Sequence, residues 1–316
     1  MIPFLVSAIR LGMALLFGST GETIAEKSGH LNLGIPGVMC VGASCGCFSL
    51  SLYSRLVHGE FNPILAVLIP IIATFLGGAL MGLLYSFLTV TLRANQNVTG
   101  LVLTIFGVGL SDYMISSVSP GSYNTAYKYF TASLPFAKSL GWFGELFFSY
   151  GIMIYLAIAV ALGTSLVLNK TRVGLHLRSV GENPATADAV GINVSAYRYL
   201  ATCIGCGIAG LGGLTFIMDY LSGCWEYVID SIGWLSVALV IFTVWKPNFG
   251  ILCSIIFGGF YIASTHIPGI GLAPKELFKM LPYVVTVVVL IITSARNKRE
   301  NQPPAGLGIN YYREDR

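Results

Sequence analysis

Residues whose chemistry could support catalysis or metal binding are few in this sequence and widely separated. The four histidines show no metal-ligand spacing, and the C-x-x-C pair lies in an apolar, glycine-rich stretch. The residues concerned are His30, His58, His176, His266, Cys203 and Cys206. No Ser/His/Asp set or carboxylate pair can be assembled, and the phosphate-binding pattern G-x-x-x-x-G-K-[ST] does not occur. The sequence therefore predicts no catalytic residues, no metal site and no cofactor.

The most extended polar stretch within the apolar part of the chain runs from Asn169 to Tyr199. Asn183 predicts a helix start, because Asn caps free N–H groups, and Pro184 suits the first helical position. Gly191 predicts the stop, since Gly adopts the left-handed conformation at a helix C terminus. The helix between them is too short to cross a bilayer, and flanking basic residues place it in the cytoplasm. These flanking residues are Lys170, Arg172, Arg178 and Arg198. A short helix held there indicates a surface presented to a partner, with an ordinary structured loop as the alternative.

Composition defines the broad class of protein. Hydrophobic residues make up 55% of the 316, charged residues only 10%, and the mean hydropathy is +0.76. Soluble domains carry roughly 25% charged residues, so we expect an all-α, polytopic membrane bundle. The apolar stretches predict about nine transmembrane helices, within a range of about 8–10, in a single domain over residues 1–316. The polar tail, 295–316, is basic and predicted to be cytoplasmic, and the net charge of +4 implies no nucleic acid partner.

Near the N terminus, the apolar segment Ile2–Thr20 is followed by a polar stretch, 21–34, and then by an apolar stretch, 35–52, punctuated by Gly and Pro. Interrupted helices at membrane depth occur only where protein or a water-filled cavity covers the freed backbone groups. In transporters such interruptions often mark the transport pathway. The sequence therefore predicts a broken helix near the N terminus. Its motif residues are Glu22, Asn32, Gly34 and Gly37.

Asp112 is the strongest candidate for a functional residue inside a predicted span, Val98–Val118. A carboxylate at membrane depth is energetically costly unless it is paired or hydrated. Arg10 is its expected partner by charge. A purely structural Asp–Arg pair and a carboxylate that reaches the outer interface are the alternatives. Neighbouring polar residues could line a path and aromatic rings could stack on a flat base, with simple packing as the alternative for the rings. These pathway candidates are Asn97, Thr104, Phe106 and Trp234.

Three stretches together resemble a known family. Residues 21–43, GETIAEKSGHLNLGIPGVMCVGA, resemble the pattern G-E-x-x-x-E-x-S-G-x-x-N-L-G-x-x-G-x-M-x-x-G-A. Residues 177–199, LRSVGENPATADAVGINVSAYRY, resemble L-R-A-V-G-E-N-P-x-A-A-x-x-x-G-I-N-V, and residues 232–247 end in a W-x-P pattern. Over nearly its whole length the chain is similar to permeases of ATP-binding cassette (ABC) importers of the branched-chain amino acid and simple sugar superfamily. Thr104 and Thr243 depart from this pattern, since relatives often show Asn and Gly there.

The resemblance implies that the short cytoplasmic helix is the coupling helix, which docks into a groove on the ATPase. The residues that match the motif there are Gly181, Glu182, Asn183, Pro184, Ala187 and Gly191. Pro184 and Gly191 are expected to act as caps, whereas Glu182, Asn183 and the small alanines are expected to make contacts.

The resemblance also implies partners and a solute. The chain would form half of a translocation pathway in a bacterial cell membrane, with a second paralogous permease, a double-cassette ABC ATPase subunit and a substrate-binding lipoprotein. It would have no enzymatic activity of its own. Similarity to the branch linked to a basic membrane lipoprotein points to a nucleoside as the small-molecule solute. A simple sugar or branched-chain amino acid is the alternative within the family, and a secondary transporter or channel is the alternative outside it.

Overall fold

The structure is a computed structural model that describes residues 2–58, 61–133, 141–266, 277, 280–296 and 302–312. The helices in these ranges are α1 (Ile2–Lys27), α2 (Ile35–Leu56), α3 (Pro63–Ser86), α4 (Gln96–Ser116), α5 (Gly121–Asn124), α6 (Tyr127–Phe130), α7 (Gly141–Phe148), α8 (Ile152–Lys170), α9 (Arg172–Glu182), α10 (Pro184–Ala189), α11 (Val194–Thr215), α12 (Ile229–Phe242), α13 (Pro247–His266) and α14 (Leu281–Arg296). A π-helical turn, Phe87–Thr91, prolongs α3, and another, Phe216–Tyr220, prolongs α11.

Six of these helices are long and apolar enough to cross a membrane: α1, α2, α3, α4, α8 and α11. The helices α12, α13 and α14 are apolar but shorter within the described residues. In the part of the chain that the structure describes, this set corresponds one to one with the nine apolar segments of the sequence. The prediction of an all-α membrane bundle is therefore confirmed.

The loops that the sequence predicts on the cytoplasmic side lie together at one end of the bundle. We call it the basic end, and it consists of residues 27–34, 91–96, 169–193, 243–247 and 302–312. The Lys27 ammonium lies 5.9 Å from the centre of the Trp245 ring. The Gly308 N–H donates a hydrogen bond to the Gly29 carbonyl at 3.1 Å. Segments far apart in sequence thus converge on one surface.

Helix α1 lies at the centre of the bundle and packs against α8, α11, α12 and α13. Its side chains from Leu11 to Phe17 are buried on every face, as expected for a helix that is apolar all round. Glycines allow other helices to approach closely. A Cβ atom added to Gly42 of α2 would lie 2.6 Å from the Cα atom of Gly210 in α11. Small residues give this close backbone approach in membrane bundles.

The break near the N terminus differs in position from its prediction. The first helix continues past Thr20 to Lys27, so the polar stretch begins inside a buried helix. Helix α2 then runs without interruption from Ile35, with Pro36 in its first turn, where a missing N–H needs no partner. The break is therefore the turn at residues 28–34 between two whole helices, which we call the α1–α2 turn.

One region between the spans is more helical than the sequence indicates. Helix α9 lies in the polar loop just before the predicted short helix, α10. The sequence does not predict α9, because Gly174 and Gly181 lower its helix propensity. The aromatic connection between α4 and α8 contains the short helices α5, α6 and α7. Exposed rings such as Trp142 and Phe147 are typical of a segment at the membrane interface.

Replacing Gly42 by Val should destabilise the bundle, because the added atoms would overlap the backbone of Gly210. Overpacking of this kind costs about 1–3 kcal/mol. We therefore expect a melting temperature several degrees lower for the detergent-purified chain. Gly163→Val is the matched control, since a Cβ atom there meets no described atom within 4 Å. Equal losses in both variants would show that helix propensity, not close packing, sets the cost.

Candidate functional site at the basic end of the bundle

The α1–α2 turn is enclosed by the helices around it. Its residues His30 and Asn32 are 0% exposed. Buried backbone groups need internal hydrogen-bond partners, and side chains supply them here. The Leu31 N–H donates to Gln96 Oε1 at 2.9 Å, and the Leu31 carbonyl accepts from the Tyr85 hydroxyl at 2.6 Å. The turn is therefore a fixed part of the core.

The motif residues Glu22, Asn32 and Gly34 come together in this turn. The Asn32 N–H donates to Glu22 Oε1 at 3.1 Å, and Asn32 Oδ1 accepts from the Gly34 N–H at 2.9 Å. The Asn32 amide also donates to Cys206 Sγ of α11 at 3.2 Å. One asparagine thus connects α1, the start of α2 and α11. The motif residues Glu22, Asn32 and Gly34 therefore have a structural role, which is to hold the turn in place.

His30 contributes a neutral hydrogen-bonding group to the same core. Its Nδ1 atom lies 2.9 Å from Thr202 Oγ1 of α11. Burial lowers the pKa of His30 well below its ordinary value, and the nearby Arg198 charge lowers the pKa further. His30 is therefore uncharged at neutral pH.

A second contact joins α1 to the end of α12. The Trp245 ring N–H donates to Glu26 Oε2, and both side chains are buried. Val244 and Trp245 have left-handed backbone conformations, with φ of +54° and +55°. Such conformations are unfavourable for bulky residues and persist only where surrounding contacts enforce them. The W-x-P pattern of the sequence therefore corresponds to a strained corner that is anchored on a buried carboxyl group.

Gly37 and Thr104 lie where α2 crosses α4. A Cβ atom added to Gly37 would lie 2.7 Å from Thr104 Cα. Thr104 is only 8% exposed, and its hydroxyl donates to the Leu33 carbonyl at 2.9 Å. Thr104, predicted as a pathway residue, therefore fixes the α1–α2 turn and does not lie on the exposed face of α4.

Helix α9 is fixed at both ends. The Thr171 hydroxyl accepts from the Gly174 N–H at 3.1 Å and caps its start. Near its end, Gly181 is buried against the Lys27 carbonyl at the end of α1. A side chain at Gly181 would overlap that carbonyl, so glycine is required for α9 to approach α1.

Helix α10 begins and ends as the sequence predicts. Asn183 Oδ1 accepts from the Thr186 N–H at 3.0 Å, and Pro184 is the first helical residue. Gly191 has a φ of +88° just beyond the C terminus. The sequence signals for start and stop are therefore confirmed.

The predicted contact residues of this helix pair differ in accessibility. Glu182 and Asn183 are exposed. Ala187 is only 2% exposed and packs with Val180 and Val194 in a small apolar cluster. Ala187 is therefore largely covered within the helix pair, although it also lines the groove on the outer surface of the pair, and its predicted contact role stays a prediction.

The outer surface of α9 and α10 forms a groove of about 600 Å³. Leu175 and Val190 are 57% and 72% exposed along it. Glu182, Asn183 and Thr186 add polar groups to the same surface. Exposed apolar side chains beside polar groups have the chemistry of a protein-docking surface.

Residues 302–312 form a segment without regular secondary structure that crosses the basic end, and we call it the C-terminal strap. Two backbone hydrogen bonds hold it in place. The Gly306 N–H donates to the Gly181 carbonyl at 2.8 Å, and the Gly308 N–H donates to the Gly29 carbonyl at 3.1 Å. The strap therefore ties α9 directly to the α1–α2 turn.

Side chains of the strap reach two further elements. Asn310 Nδ2 donates to the Arg93 carbonyl, between α3 and α4, at 2.8 Å. The Tyr311 hydroxyl donates to Asp188 Oδ2 of α10 at 2.9 Å. The sequence predicts only a polar tail here, because a segment without hydrophobic periodicity gives no packing signal. The one signal in the sequence for close backbone contact is a pair of glycines, Gly306 and Gly308, separated by a single residue.

The remaining pathway candidates lie on α4 and α12. Asn97 and Phe106 lie on its exposed face, with Phe106 50% exposed, and Trp234 of α12 is half-buried. The other large exposed side chains on that face are Val98, Leu101, Val102, Ile105 and Tyr113. Their helical spacing defines one continuous, mainly apolar face.

Asp112 is half-buried and borders a small cavity of about 30 Å³. Trp225 and Asp230 line the same cavity. The predicted pairing of Asp112 with Arg10 is wrong, since Arg10 Nε lies 3.5 Å from Asp219 Oδ1. The reason is the packing of α1 against the π-helical turn after α11, which carries Asp219.

A bundle of membrane-length helices, with a short helix pair exposed at its basic end, defines a multi-pass membrane protein. The family described as branched-chain amino acid transport system / permease component matches residues 4–290, and the chain belongs to this family. It is therefore a permease subunit that operates in a membrane with an ATPase partner.

Individual relatives agree with this assignment. The chain is 34% identical to the nucleoside ABC transporter permease protein NupC of Lactococcus lactis, over 94% of this chain and 92% of the relative. It is 29% identical to the guanosine ABC transporter permease protein NupQ of Bacillus subtilis, over 87% of each chain. It is 30% identical to the putative glucose ABC transporter permease protein TsgC13 of Haloferax volcanii, over 98% of this chain and 97% of that one.

Replacing Gly306 by Val should detach the C-terminal strap, because a Cβ atom there would lie 2.7 Å from the Gly181 carbonyl oxygen. We expect a protease to cleave the strap of the purified chain about tenfold faster than in the wild type, since cleavage follows local opening. Ala305→Val is the control, because Ala305 is exposed. Unchanged protection in Gly306→Val would contradict the inferred docking of the strap.

Proposed function

We propose that this chain is the permease subunit of an ABC importer for nucleosides in a bacterial cell membrane. It would form half of the translocation pathway, with a second paralogous permease, a double-cassette ATPase and a substrate-binding lipoprotein. The observation that carries the mechanism is the α9–α10 pair, which is exposed on its outer surface and fixed to the core on its inner surface. No enzymatic step is assigned to the chain, and ATP hydrolysis belongs to the partner.

The α9–α10 pair is suited to transmit movement of the ATPase. Its exposed residues Glu182 and Asn183 lie beside an apolar groove that a partner surface can fill. Gly181 connects the pair to both α1 and the C-terminal strap. A displacement of the pair would therefore act on the α1–α2 turn without passing through a flexible linker.

The exposed face of α4 is the proposed pathway surface. It starts beside the α1–α2 turn, carries Asn97 and Phe106, and leads toward the half-buried Asp112. An aromatic ring can stack on a base, and amide or carboxylate groups can accept hydrogen bonds from ribose hydroxyls. The predicted roles of Phe106, Asp112 and Trp234 stay proposals on this basis.

The nucleoside assignment rests on relatives and on chemistry. Two of the relatives are named for nucleosides or guanosine, and one is named for glucose. The scarcity of charged side chains along α4 suits a neutral, hydroxylated solute better than a zwitterion. A simple sugar or a branched-chain amino acid remains the alternative within the family, and a transporter that needs no ATPase is the alternative outside it.

Replacing Glu182 by Arg should uncouple the permease from its ATPase, since the substitution reverses the charge of an exposed group at the docking surface. We expect uptake and solute-stimulated ATP hydrolysis to fall at least about tenfold, as for charge reversal at a protein interface. Glu145→Arg is the matched control, because Glu145 is an exposed carboxylate in α7 and lies outside the basic end. Normal uptake by Glu182→Arg in a correctly assembled importer would exclude this coupling surface.

Uptake by cells that carry the complete importer tests the solute. We expect labelled uridine or adenosine to accumulate, and unlabelled nucleosides to compete, whereas ribose and leucine do neither. Transport of leucine or free ribose without nucleoside competition would refute the nucleoside assignment and leave the permease assignment intact. Uptake that persists after deletion of the ATPase would instead favour a secondary transporter.

A further inference from the structure

A polar cavity of about 460 Å³ opens at the basic end, next to the groove of the α9–α10 pair, with which it shares Ile192. Its walls are the π-helical turn after α3, the first turn of α11, the end of α10 and the C-terminal strap. Two arginine residues, Arg93 and Arg198, line it together with Ser195 and Tyr311. Asp188 is the single carboxylate among the described lining residues, and it accepts a hydrogen bond from the Tyr311 hydroxyl.

Arg198 is the most unusual residue of this cavity. It is only 2% exposed, and its Nη2 atom donates to the Ile309 carbonyl of the strap at 3.2 Å. Its Nε atom has no hydrogen-bond partner among the described residues. Buried charges and buried donors without a partner are costly, so a buried guanidinium at a cavity wall indicates an anionic ligand.

Arg93 adds a second, accessible positive charge. It is exposed and has a left-handed backbone with a φ of +57°. Its guanidinium carbon lies 4.7 Å from the centre of the Tyr312 ring of the strap. The ring therefore orients the guanidinium beside the cavity.

The start of α11 supplies further groups for an anion. Asn193 Oδ1 caps this helix by accepting from the Ala196 N–H at 3.0 Å. The preceding N–H groups of the first turn, including that of Ser195, carry the partial positive charge of a helix N terminus. Helix N termini beside arginine side chains bind phosphate groups well.

An apolar groove of about 500 Å³ adjoins the cavity along the same two helices. It is lined by Tyr199 of α11 and by residues at the end of α3, among them Leu80, Leu84 and Phe87. Tyr199 follows Ser195 by one helical turn, and Phe87 precedes Val90 by about one turn, so the groove lies about one helical turn from the cavity along both helices. Leu80 and Phe87 are 69% and 47% exposed.

We propose that this cavity and groove bind one anionic phospholipid, with its phosphate between Arg93 and Arg198 and an acyl chain along α3. A free phosphate would use the charges but would leave the adjoining apolar groove without a function. Basic pockets on the cytoplasmic side of membrane helices are suited to anionic headgroups. Because the cavity wall includes Gly191 and Tyr311, the bound lipid would contact the end of α10 and the strap.

The test is lipid binding to the complete importer in detergent, measured by native mass spectrometry with phosphatidylglycerol and phosphatidylcholine. We expect phosphatidylglycerol to be preferred at least about tenfold in the wild type, and its affinity to fall about tenfold in Arg93→Gln. Arg172→Gln, which removes an exposed arginine outside the cavity, should bind as the wild type does. Equal binding of phosphatidylglycerol by Arg93→Gln and Arg172→Gln would overturn the proposal.

A second comparison separates a lipid from a free anion. Leu84→Trp should fill the groove and weaken phosphatidylglycerol binding, whereas Leu76→Trp, on α3 but outside the groove, should not. Competition with millimolar inorganic phosphate should displace little of the lipid. If inorganic phosphate displaces the lipid completely and Leu84→Trp has no effect, the site binds a free anion and the lipid assignment is wrong.

Discussion

The structure depends on one constraint, which is that the backbone of the α1–α2 turn is buried among membrane helices. Its peptide groups cannot rely on water and need partners from the protein. Glu22, Asn32, Tyr85, Gln96 and Thr104 provide these partners from α1, the turn itself, α3 and α4. The Asn32 side chain adds a contact with α11. The polar residues near the N terminus therefore serve to satisfy the hydrogen bonds of a buried turn.

The same turn also organises the surface of the basic end. The C-terminal strap forms hydrogen bonds with Gly29 of the turn and with Gly181 of α9, so the α9–α10 pair and the turn are connected through one backbone segment. Arg198 extends this arrangement to α11 through the Ile309 carbonyl. Because these contacts are short and largely between backbone groups, α9, the turn and the strap form a stiff unit rather than a set of separate loops.

Much of the fold follows from the sequence, because each span is an apolar stretch of sufficient length and α10 has strong capping signals at Asn183 and Gly191. The sequence does not reveal which residues of different helices contact each other. By charge alone Arg10 could pair with Asp112 or with other carboxylates, and it is the packing of the helices that brings Asp219 beside it. Thr104 and Ala187 lie on the helices where the sequence predicts them, but each is buried by contacts with neighbouring helices, which the sequence does not reveal. The strap carries no periodic pattern, so its docking is visible only in three dimensions.

The contact between Trp245 and Glu26 has a consequence for how the chain is made. The two residues are 219 positions apart, so the ribosome must synthesise most of the protein before the carboxyl group can meet its indole donor. Glu22 and Glu26 leave the ribosome early, on a helix whose final environment does not yet exist. A carboxyl group that faces lipid alone is costly. Helix α1 can therefore complete its final packing only after the chain has been synthesised as far as Trp245.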